Sequence, residues 1–166
     1  MRTKRITTLM LSGLMALSTV GLTATAVSAD YDEHAGILYQ VVLRAENIAA
    51  TNNNWRKANQ AVHMTRDIRH FHRDHRTPRL VKRTKCTSEF YDWLSDARFY
   101  GRQSFLFHRG KATNFREYPS GWQRQQVRIR QMLVHNRAED RYNDSQDDLL
   151  DCVFDALPRR VRHLVG

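Results

Sequence analysis

The sequence predicts an all-α fold of four or five amphipathic helices in one compact domain. Three observations carry this. Apolar residues recur at three- and four-residue steps over long segments. Capping residues and prolines fall between those segments, and nothing repeats internally at a fixed period.

The first 29 residues stand apart from that pattern. Arg2, Lys4 and Arg5 form a positive start, Ile6 to Leu22 is apolar with small residues, and Val27-Ser28-Ala29 offers the small side chains a signal peptidase reads. Thr7, Thr8, Ser12, Gly13, Ser18 and Thr19 interrupt the apolar core, which falls short of the ~20 strongly apolar residues of a spanning helix. The expectation is a cleaved secretory signal over residues 1–29 and a single helical domain over residues 30–166, secreted or periplasmic. The latter segment has the size of one domain with one core, and it contains no apolar run of membrane-spanning length.

The first helix is expected from about Glu33 to Ala50, on Ile37, Leu38, Val41, Val42, Ala45, Ile48 and Ala49. Thr51-Asn52-Asn53-Asn54 breaks it, with Asn54 as N-cap of a second helix from Trp55 to Arg76. Pro78 ends that helix, and residues 77–85 read as a basic linker. A third helix starts near Cys86-Thr87, carries Phe90, Trp93, Leu94 and Ala97, and is expected to stop at Tyr100-Gly101. Residues 102–119 read as a small hairpin, with Ser104 to His108 as one strand, or as an irregular loop packed by its aromatics. Ser120 and Gln123 have capping-box spacing for a fourth helix with Trp122, Ile129, Met132 and Leu133 on its inner face. Ser145 and Asp148 repeat that spacing for a fifth, whose stripe is Leu149, Leu150, Val153, Phe154 and Leu157.

Cys86 and Cys152 are the only cysteines. In an oxidising compartment two cysteines in one domain are expected to form a disulfide, closing a loop of about 65 residues worth roughly 3–5 kcal/mol on a chain-entropy estimate. With no C-x-x-C a thioredoxin-like redox site is not indicated, and the absence of C-x-x-C-H excludes ordinary c-type haem attachment.

Charge is strongly basic and unevenly spread. The chain is +10 overall, and residues 30–166 keep a formal +7. Residues 55–85 hold ten basic and two acidic side chains, whereas residues 138–157 hold seven acidic and one basic. The two blocks either neutralise each other within the fold or present faces of opposite sign.

Three kinds of chemistry compete for these residues. His63, Asp67, His70 and Asp74 lie four, three and four residues apart, on one side of a helix, and imidazole with carboxylate suits zinc or another divalent ion. His34, His108 or His135 could add a ligand from a second element. Arg66, Arg69, Arg73, Arg76, Arg79, Lys82, Arg83 and Lys85 form an anion-binding candidate, suited to an acidic protein, an anionic glycan or a membrane surface. No helix-turn-helix, zinc-finger or RNP pattern supports specific nucleic acid recognition. A small secreted hydrolase is the third candidate, although G-x-S-x-G and H-E-x-x-H are both missing. Its acids would be Glu89, Asp92 and Asp96 on one side of the third helix, faced by Glu117 or Glu139. The leading expectation is a non-enzymatic binding protein that uses its basic face. No cofactor is required by this reading, and a divalent metal belongs to the alternative.

Overall fold

A computed structural model describes residues 28–73 and 77–156, all of it helix and turn. Five helices follow in order: α1 (Ser28–Ala50), α2 (Asn54–Arg73), α3 (Arg79–Thr84), α4 (Thr87–Ala112) and α5 (Gly121–Ala156). The all-α reading holds. The leader, apart from Ser28 and Ala29, lies outside the described residues, as do Asp74, Arg76 and Leu157.

α1 and α2 form a hairpin across Thr51–Asn53. The N-cap is Asn53 and not Asn54, since Asn53 Oδ1 accepts from the Arg56 amide at 3.0 Å. α2 packs along α4, and α4 packs along α5, so α4 lies between the other two. The core runs through all three interfaces: Val41, Val42, Ala45 and Ile48 from α1, Ala61, Met64, Ile68 and Phe71 from α2, Phe90, Trp93, Leu94, Ala97 and Tyr100 from α4, Ala138 and Tyr142 from α5. The linker expected at 77–85 is instead largely the short helix α3, whose Val81 also enters the core. Lys85 ends α3 in the left-handed region at φ 62°, and the Cys86 amide donates back to the Val81 carbonyl at 3.2 Å.

The later segments correct further expectations. The hairpin does not form: residues 102–112 continue α4, which is 26 residues long, and residues 113–120 turn into α5. Tyr100, Ser104, Phe107 and His108 are all buried while Leu106 is exposed, a helical rhythm where a strand would alternate. Gly101 is not a stop signal. A Cβ there would lie 2.8 Å from Thr65 Oγ1 and 3.3 Å from the Ala61 carbonyl oxygen, so the missing side chain lets α4 approach α2. Gly110 seats the Phe115 ring in the same way, with a Cβ falling 2.1 Å from Phe115 Cε1.

The expected fourth and fifth helices are one 36-residue helix, α5. Ser145 does not cap. It is buried, and its hydroxyl donates to the Tyr142 carbonyl one turn back at 3.2 Å. The Ser120 box is real: Gln123 N–H donates to Ser120 Oγ at 3.1 Å, and Ser120 N–H donates to Gln123 Oε1 at 3.3 Å. Cys86 and Cys152 form the expected disulfide, tying the start of α4 to the end of α5.

Candidate functional site

Asp67, one of the two acids of the candidate metal face, is already engaged. Asp67 accepts from Arg44 Nε of α1 at 3.2 Å, and Arg44 Nη1 also donates to Gln60 Oε1 at 2.9 Å. His63 is half-buried and His70 is exposed. His63, Asp67 and His70 are not gathered into a ligand cluster among the described residues, and Asp74 lies outside them.

A different donor set does come together. Cys86 Sγ, Cys152 Sγ and a Glu89 carboxylate oxygen lie within 4.8 Å of one another. Glu89 sits one turn into α4, and its Oε2 is buried without a hydrogen-bond partner. Two thiolates and a carboxylate could coordinate a divalent metal. As a disulfide the sulfurs are not thiolates, so this donor set is available only to the reduced protein. Sequence reasoning placed the two cysteines together but missed Glu89, which lies one helical turn after Cys86.

His108 and His135, noted in the sequence only as spare ligands, form a buried pair. Their ring centroids are 5.2 Å apart, edge to face. His135 also packs on Phe107 and Tyr100, at 5.0 Å and 5.7 Å. His108 Nδ1 lies 3.3 Å from Asn54 Oδ1, so the pair bridges α2, α4 and α5. Burial, then His135, Lys57 and Lys111, push the His108 pKa down to about 3. Burial also lowers His135, against the opposing pull of Asn136 and Glu139. Both rings are therefore neutral near pH 7. His135 Nε2 is buried without a hydrogen-bond partner.

The carboxylates of α4 face α5, but not through the residues expected. A cleft between the two helices is lined by Asp92, Ser95, Asp96, Asp144, Ser145 and Asp148 around Arg141. Asp96, nearly buried, pairs with Arg141 at 2.6 Å. Glu117 and Glu139 do not line this cleft. A buried carboxylate neutralised by arginine differs from the two opposed catalytic carboxyl groups of a glycosidase.

Five members of the basic candidate, Arg66 and Arg69 of α2 with Lys82, Arg83 and Lys85 of α3 and its cap, are exposed. None of the five is in an ion pair among the described residues. Arg76 lies outside the described residues, as do the side chains of Arg73 and Arg79. No ion pair joins these five to the acids of α5 among the described residues.

No family model matches this chain, and neither a curated protein nor a solved structure matches it. Among the described residues no helix is long and apolar enough to cross a membrane.

Proposed function

We propose that this is an exported, non-enzymatic binding domain that engages an anionic partner through its basic side chains. The supporting observation is the exposed set Arg66, Arg69, Lys82, Arg83 and Lys85, which has no acidic partner among the described residues although seven acidic residues lie at 138–157. Left in water, these basic side chains attract a polyanion over about a Debye length, near 8 Å at physiological salt. The disulfide and the continuous three-interface core hold together the scaffold that carries them.

The test is retention of the oxidised protein on an immobilised sulfated glycan across a salt gradient. Arg66→Glu, Arg69→Glu and Lys82→Glu together should elute at clearly lower salt, and His63→Ala with His70→Ala should not. Passage through the column at low salt, or retention indifferent to the three reversals, would sink the proposal.

A further inference from the structure

Four large apolar side chains in the first half of α5 take no part in the core. No residue of α5 before His135 is buried. Trp122 is 70% exposed, Leu133 60%, Ile129 40% and Met132 39%. Trp122, Ile129 and Leu133 are spaced by seven and four residues, so they share one line along the helix. By the same periodicity that line falls roughly opposite Ala138 and Tyr142, the α5 residues that face the core. The stripe therefore points away from the domain and is not an unfilled part of its core.

The charges around the stripe select its occupant. Between Gly121 and Ala138 the only charged residues are Arg124, Arg128, Arg130 and Arg137. The turn and helix end that precede them add Arg109, Lys111 and Arg116 against Glu117 alone. A second copy fits poorly. Stripe against stripe would bring Arg130 and Arg137 of one copy towards the like charges of the other, and the acidic second half of α5 shows no exposed large apolar side chain. Four side chains also fall short of the ~1,200 Å² that a stable protein interface buries.

We infer that the first half of α5 is an interfacial helix that lies on an anionic lipid surface. This rests on the reading of the domain as a binder of anionic partners and names one such partner. Leu133, Ile129 and Met132 would enter the acyl boundary, and Trp122 would sit at headgroup level, where indole is favoured. By the same periodicity Arg130 and Arg137 fall beside the stripe, and their long apolar stems let them reach lipid phosphates from its edge, whereas Arg124 and Arg128 fall towards the far side of the helix. The acidic second half of α5 stays off the surface, which fixes the tilt of the domain.

The experiment is co-sedimentation of the oxidised, processed protein with phosphatidylglycerol–phosphatidylcholine vesicles and with pure phosphatidylcholine vesicles. Binding is expected to the first only. Trp122→Ser with Leu133→Ser should weaken it about tenfold or more, with helix content and sulfated-glycan retention unchanged, because both side chains are exposed. Undiminished vesicle binding by that double variant would overturn the inference. So would wild-type protein that is retained by the glycan and ignores the vesicles, which leaves the basic-face reading standing. Vesicle binding without glycan retention removes the α2 and α3 face and keeps the α5 helix. A dimer formed without lipid and abolished by the double variant would assign the stripe to a second copy instead.

Discussion

The imidazoles of His108 and His135 meet edge to face at 5.2 Å across the α4–α5 interface, both at least nine-tenths buried. Lys57 from α2 and Lys111 from α4 bear on both rings, and Glu139 from α5 bears on His135. Protonating either ring adds a cation to a buried site that two lysines already make positive. The folded-state pKa values are depressed below the ordinary 6.5, so the unfolded chain binds protons first as pH falls.

The sign of the pH dependence follows. The contribution of the pair is fully present above about pH 6.5 and is lost as pH falls towards 3, the folded-state value of His108. His108 alone should cost about 1.4 kcal/mol per pH unit within that window, with His135 adding to it. Urea denaturation at a series of pH values should show this slope in the wild type and a flatter one in His108→Asn. Equal slopes would mean that the imidazoles do not govern acid lability.

Gly101 and Gly110 should be intolerant of alanine although both sit inside a helix, where alanine normally gains about 1 kcal/mol. At Gly101 the new Cβ meets Thr65 Oγ1 and the Ala61 carbonyl, so two helix backbones must separate. At Gly110 it meets the ring of Phe115, which is 3% exposed and whose amide donates to the Gly110 carbonyl at 2.8 Å. Each substitution should cost about 1–3 kcal/mol in chemical denaturation, the usual range for overpacking. Gly121→Ala, with open space around it, is the control and should cost nothing.

These glycines also mark where the sequence was hard to read. The periodic segments, the Ser120 box and the cysteine pairing were all legible, because each depends on local spacing or on a count of two. A glycine after an aromatic run looks the same whether it ends a helix or admits a neighbouring one, and only the position of Thr65 decides between them. Ser145 failed for a similar reason: its spacing to Asp148 imitates a cap, while its hydroxyl satisfies itself within a continuing helix. The inner face assigned to Trp122, Ile129, Met132 and Leu133 was read correctly as a stripe. Its direction was not, since periodicity locates a face and only packing says what it meets. Arg44 beside Asp67 is a tertiary contact with no signature in spacing, whereas Glu89 stands one helical turn after Cys86, a spacing the sequence does display.

The capping box should matter locally and little globally. Ser120→Ala removes the acceptor for the Gln123 amide, a loss of about 1 kcal/mol at a typical N-cap. Because no residue of α5 before His135 is buried, that loss should appear as faster amide exchange over residues 121–134. The global unfolding midpoint should scarcely move. A large drop in the midpoint would mean that the first half of α5 is coupled to the core after all, and would weaken the case for its availability to a surface.

Reduction of the Cys86–Cys152 bond should change both stability and metal chemistry. Opening a loop of this length is expected to cost about 3–5 kcal/mol, which Cys86→Ser with Cys152→Ser should reproduce. The oxidised protein offers its sulfurs only to each other, so it should retain no zinc through these residues after dialysis. Treated with a phosphine reductant, the folded fraction should take up about one equivalent, because two thiolates and the otherwise unpartnered Glu89 Oε2 then stand within ligand reach. Glu89→Gln should weaken that uptake, and His70→Ala should leave it alone. Zinc held by the oxidised protein and lost on His70→Ala would move the metal to the exposed face of α2, with Asp67 released from Arg44 to join it.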